Sequence, residues 1–172
     1  MSNEFKKYMN KFTLAFHIPA AFCVILAVIA LSNAAFPGVV IALVIGLLLT
    51  IPFWKTKKYF DALEQNPALA TFLSNDFQQA TPMRKDTIRF SHTNIYMKHS
   101  AKTLQYVDIQ QVYQYIHRTN FVEDERSLKY VDLSGKHHRL CRLELRDASK
   151  EEMMHIINIL LSKNPHIKIG YR

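Results

Sequence analysis

The chain has 172 residues, enough for one domain or two small ones. Its 22 Lys and Arg against 14 Asp and Glu leave a formal charge of +8, and its mean hydropathy of -0.06 is the average of two very unlike parts. Four glycines, two cysteines and the lack of a long heptad array exclude collagen, disulfide-framework and coiled-coil classes.

No Asp, Glu, Lys or Arg occurs from Phe12 through Trp54. The stretch is interrupted once, between Ser32 and Gly38, where Asn33, Pro37 and Gly38 supply turn chemistry. Two apolar runs remain, Thr13 to Leu31 and Phe36 to Phe53. A helix rises ~1.5 Å per residue and the hydrocarbon layer is ~30 Å thick, so each run is expected to cross a bilayer once. Helices are the open-chain solution in lipid, because each backbone N–H then finds a carbonyl in its own segment. The expectation is a two-span membrane hairpin within residues 1–54. The first run exceeds the apolar core of a cleaved signal peptide and is followed at once by a second.

Orientation follows from the flanking bases. Lys6, Lys7 and Lys11 precede the first run, Lys55, Lys57 and Lys58 follow the second, and the connecting turn is uncharged. Basic flanks stay cytoplasmic, which predicts a multi-pass protein of the cell (inner) membrane with both termini in the cytoplasm. Lys55, Lys57 and Lys58 are the residues expected at the membrane surface, each attracted to an anionic leaflet by about 1 kcal/mol. His17 lies close enough to the end of its run for the imidazole to reach the headgroups, Pro19 is expected to bend the helix, and Cys23 reads as a small apolar residue.

Residues 55–82 read as a helical juxtamembrane connector. The second span continues through Tyr59, Phe60 and Leu63, and Asn66-Pro67 caps a further short helix running to about Leu73, ended by Asn75-Asp76 and Thr81-Pro82. From residue 83 to 172 the period becomes two. Six strands are expected: Thr87–Phe90, Ile95–His99, Thr103–Val107, Val112–His117, Leu128–Leu133 and His138–Leu145. Ser91–Asn94 is the turn of the first hairpin, Glu123–Arg126 a charged loop and Ser134-Gly135-Lys136 a tight turn. A helix then opens at Ser149, with Glu152 at capping-box spacing, and buries Met153, Ile156, Ile157, Leu160 and Leu161 before Asn164-Pro165 stops it. Ile167–Tyr171 is a candidate edge strand. The fold class is a membrane helical hairpin plus α+β, with an antiparallel sheet or partly open barrel closed by a C-terminal amphipathic helix.

Asp108-Ile109 before Val112-Tyr113, the hairpin from Tyr130 through Ser134-Gly135-Lys136, and the final helix closing in Asn164-Pro165 resemble bacterial two-helix membrane-anchored proteins with a YcxB-like, PH-like C-terminal domain. The resemblance covers nearly the whole layout. It implies seven strands, of which six are legible, and phosphoinositide binding in the first hairpin loop. That loop reads as Ser91–Asn94, which has no basic cluster, so only general attraction to anionic lipid carries over.

The densest basic stretch runs from Lys136 through Arg139 and Arg142 to Arg146, and is the candidate site for a lipid phosphate or an acidic partner, since guanidinium groups match phosphate geometry. It reads more readily as the solvated face of an edge strand next to a turn. Tyr106, Tyr113 and Tyr115 are candidates for a contact face or for strand packing. No metal-ligand spacing, nucleophile elbow or phosphate loop occurs. His137 and His138 are adjacent and so point to opposite strand faces, and spacing also sets His138 and Cys141 apart; His99, His117, His155 and His166 read as surface or half-buried groups. No cofactor, metal or catalytic residue is expected, and no nucleic-acid partner, because membrane flanks account for much of the basic excess. The expected function is that of a non-enzymatic integral membrane protein whose cytoplasmic module binds a protein partner or anionic lipid headgroups at the bilayer surface. The alternatives are a small membrane enzyme using His17 or the basic strand, and an accessory subunit of an oligomeric transporter or channel.

Overall fold

The computed structural model describes the chain except for residues 15, 34–35, 99–101, 146–147 and 171–172, and gives the backbone alone at 11–14, 17, 148 and 149. The described chain is α+β, with five α-helices and two sheets, and separates into two compact units: 1–75 with 98–101, and 76–97 with 102–172.

The first unit is helical. α1 (Asn3–Leu14) buries Phe5, Tyr8 and Met9, which share one face by their three- and four-residue spacing. The Phe5 ring meets Phe60 edge-on at 6.4 Å, and Ser2 Oγ accepts the Phe5 N–H at 3.3 Å to cap the helix. α2 (His17–Ser32) begins after a break at Phe16. Pro19, expected to bend the helix, falls in the first turn of α2, where a missing N–H leaves no helical bond unmade.

α3 (Phe36–Glu64) has 29 residues, about 43 Å at ~1.5 Å per residue, and is long and apolar enough to cross a membrane. It runs unbroken past Pro52 into the connector, as expected for Lys58–Leu63. α2 is more apolar still but only 16 residues long, so one described helix, rather than two, has full spanning length. The two helices pack closely at small residues: a Cβ on Gly46 would stand 3.3 Å from that of Cys23. Beyond the apolar run, Phe60 and Leu63 of α3 are buried, as are Ala70 and Leu73 of α4 (Pro67–Gln78). Asn66 Oδ1 accepts the Leu69 N–H at 3.1 Å, which is the cap expected before Pro67. The helix continues past its expected end, because Asn75 and Asp76 take helical positions instead of breaking it.

The second unit carries eight strands. β1 (Thr81–Met83), β2 (Ile88–Phe90), β3 (Asn94–Met97) and β4 (Lys102–Gln105) form an antiparallel meander in chain order. β1 was not expected: Thr81-Pro82 reads as a helix stop, yet Pro82 is tolerated here on an edge strand that needs no N–H on its outer side. The first hairpin turn is therefore Arg84–Thr87 and not Ser91–Asn94, of which Ser91 to Thr93 join β2 to β3 and Asn94 opens β3. A single 3-10 turn (Tyr106–Asp108) leads into β5 (Ile109–Thr119), β6 (Val122–Asp132) and β7 (His137–Leu143), and β8 (Lys168–Ile169) adds in parallel to β5, giving the order β7-β6-β5-β8. The charged segment Glu123–Arg126 lies inside β6 and not in a loop, and the chain reverses at Asn120-Phe121. Its charges satisfy one another: Arg126 Nε meets Glu123 at 2.6 Å, and Asp124 meets His117 Nδ1 at 2.7 Å.

α5 (Ala148–Lys163) ends before Asn164-Pro165 as expected; the capping role of Ser149 lies outside the described side chains. Its Met153, Ile156, Ile157 and Leu160 share one core with Ile88, Ile95, Leu104, Val112, Leu128 and Leu140 from both sheets. No closed barrel forms among the described residues, since the two sheets share no ladder.

Candidate functional site

The face of the second sheet turned away from that core gathers the basic residues. Leu128 and Tyr130 of β6 point into the core, so Ser127 and Lys129 point out. Cross-strand register then sets Tyr113, Lys129 and Arg139 in one row and Tyr115, Ser127 and Arg142 in the next. Arg139 and Arg142 are three apart and would point to opposite faces of a regular strand. An irregularity in the β6–β7 ladder leaves both Leu140 and Cys141 buried between them, so both arginines emerge on the solvent side.

The row geometry is tight. Lys129 Nζ lies 3.2 Å from the centre of the Tyr115 ring, and Tyr115 stacks on His117 at 6.5 Å. Arg139 reaches Glu125 at 3.6 Å. Ser127 has no exposed surface, and its Oγ is the one buried side-chain polar atom without a hydrogen-bond partner among the described residues.

Of the residues expected at the site, Arg139 and Arg142 therefore come together, and Lys136 sits exposed in the turn before β7, its N–H bonded to Asp132 Oδ1 at 3.0 Å. Arg146 lies outside the described residues. Lys55, Lys57 and Lys58 are exposed on α3, with Lys57 Nζ 5.7 Å from the Trp54 ring centre. Tyr106 is a core residue whose hydroxyl donates to Ser91 O at 2.8 Å; Tyr113 is buried with its hydroxyl 3.0 Å from His137 Nδ1; Tyr115 alone is half-exposed. Lys129 and Ser127 are the members that strand spacing alone does not reveal, because they join the arginines through register.

The ladder irregularity also overturns one expectation from spacing. His138 and Cys141 fall opposite Tyr130 and Leu128, so both face the core side. His138 stacks on Tyr130 and pairs with Asp132 at 2.7 Å, while burial pushes the Cys141 thiol up to about 12, which leaves it unreactive near neutrality. The side chain of His17 lies outside those described.

Other polar clusters are closed. Asp76 is buried and accepts from Ser91 Oγ (2.5 Å), Tyr96 Oη (2.8 Å), Asn94 Nδ2 (2.9 Å) and Thr93 Oγ1 (3.0 Å). Burial pushes its carboxyl up, but these donors, Ser91 first, outweigh that and hold it below the ordinary carboxylate range. The bases of the first hairpin are likewise engaged: Arg84 Nη1 meets Glu152 at 2.6 Å and Glu144 at 3.8 Å, and Arg89 meets Asp86 at 2.5 Å. No group of three His, Cys, Asp or Glu suited to a metal ion occurs among the described residues.

Fold and site together define an α+β chain with one helix of membrane-spanning length and a basic outer sheet face. Comparison with family profiles, curated proteins and solved structures finds no match.

Proposed function

We propose that this chain is a non-enzymatic membrane protein, anchored by the α2–α3 hairpin, whose α+β unit is a PH-like binding module for anionic groups at the cytoplasmic membrane surface. The observation that carries this reading is the exposed apolar surface of the hairpin. Ile18, Phe22, Val28, Phe36, Val40 and Leu47 are each more than half exposed, and only 6 % of the most apolar window of α3 is buried. A water-soluble helix pair would hide such a face; hydrocarbon solvates it at no cost. The bases that flank the hairpin support cytoplasmic ends for both termini. Seven strands before a closing helix support the PH-like reading of the second unit.

The basic sheet face supports an anionic ligand. The test is hydrogen exchange on the full chain in nanodiscs. With phosphatidylglycerol present, β6 and β7 gain protection relative to pure phosphatidylcholine discs; identical exchange in both removes the binding role.

A protein partner is the second reading, favoured by the β5–β6 hairpin tip. Phe121 there is fully exposed and Val122 is 68 % exposed, which suits an apolar pocket on another protein.

A further inference from the structure

We infer that the outer face of the second sheet holds a site for a phosphomonoester headgroup, with Ser127 as its hydroxyl donor and Lys129, Arg139 and Arg142 as its cations. The inference rests on the anionic-ligand reading above and names the chemistry of that same face.

Three independent features converge. Lys129 and Arg139 are register partners across β6 and β7, which sets two like charges side by side on one face of the sheet. The irregularity at Leu140-Cys141 turns Arg142 to the same side, and no carboxylate pairs with its guanidinium among the described residues. In the row between Tyr115 and Arg142, Ser127 Oγ is fully buried and is the one such side-chain atom without a hydrogen-bond partner among the described residues. A buried hydroxyl without an acceptor is destabilising, and an oxyanion supplies that acceptor.

The charge balance selects a highly charged oxyanion over a carboxylate. Glu125 answers part of the Arg139 charge, at 3.6 Å, and Lys129 lies over Tyr115, which leaves the Arg142 guanidinium, in register with Ser127, without a carboxylate among the described residues. A phosphomonoester offers close to two negative charges and three terminal oxygens, enough for a paired contact from Arg142, a point contact from Lys129 and the Ser127 hydroxyl. A phosphodiester offers one charge and two such oxygens.

The probes are short-chain dioctanoyl phosphatidate, dioctanoyl phosphatidylglycerol and inorganic phosphate, each titrated calorimetrically into the full chain in a neutral maltoside detergent. Phosphatidate is expected to bind saturably and roughly tenfold more tightly than phosphatidylglycerol. Ser127→Ala should weaken phosphatidate about tenfold, as loss of a hydrogen bond to a charged group does, while raising the thermal midpoint of the free protein. Arg142→Gln should weaken it at least as much without moving the midpoint. Equal binding of the two lipids, or a Ser127→Ala variant that binds phosphatidate normally, overturns the inference and leaves the anionic-ligand reading standing. Inorganic phosphate binding as tightly as phosphatidate overturns the headgroup as its source. No binding of any of the three overturns both.

Discussion

Lys129 on β6 and Arg139 on β7 face each other directly across the ladder, two like charges on one face of a sheet. Repulsion between opposed like charges works against folding by up to about 1 kcal/mol, so the pair adds nothing to stability by itself. Arg139→Gln is therefore expected to leave stability within about 0.5 kcal/mol, since the partly exposed contact to Glu125 is worth little, while retention on anionic lipid falls. Urea denaturation alongside vesicle flotation of the full chain checks both halves.

Asp76 gives a stability that depends on pH in a stated direction. Its folded-state pKa is depressed, so its contribution is complete above the unfolded value and is lost as pH falls through the folded one. The melting midpoint should drop as pH falls through and below the ordinary carboxylate range, and drop less in Asp76→Asn. That variant should also lose about 2 kcal/mol at neutral pH, because its NH2 must replace one of two accepting oxygens, the one facing Thr93 or the one facing Ser91, Asn94 and Tyr96. An unchanged slope in the variant would assign the acid sensitivity to other carboxylates, Asp132 foremost.

The β5–β6 turn is strained for no gain in packing. Asn120 and Phe121 have φ of 50° and 65°, and Phe121 touches nothing that hides it. A two-residue turn of this hand favours Asn-Gly, so Phe121→Gly should raise stability by about 1 kcal/mol. A loss of stability would show that the ring packs on the hairpin.

Phe5 tests the helical unit. Its ring is wholly buried and meets Phe60, so Phe5→Ala should cost about 3 kcal/mol and expose the first helix to limited proteolysis. Wild-type cleavage rates would mean that α1 contributes no packing to this unit.

What the sequence made legible were the features written into local pattern. The uncharged run from Phe12 to Trp54, the Asn66-Pro67 cap, the Gly135 turn with its φ of 78° and the stripe from Met153 to Leu160 all find their places. Phe5, Tyr8 and Met9 carried a helical spacing that the nearby lysines overshadowed. β1 escaped notice because Pro82 signals a break locally, and only its pairing with Arg89 makes it an edge strand. Glu123–Arg126 read as a loop because charge density suggests solvent, whereas cross-strand partners accommodate those charges within a strand. The site was half visible: Arg139 and Arg142 stood out by composition, but one extra residue in β7 decides which face they share, and register alone brings Ser127 and Lys129 beside them.

The central claim is that the α2–α3 hairpin sits in hydrocarbon, and alkaline carbonate extraction of membranes from cells expressing the full chain tests it most directly. A hairpin in hydrocarbon keeps the protein entirely with the membrane pellet at high pH and lets it enter solution only with detergent. Release into the carbonate supernatant as a stable, monodisperse protein would contradict it.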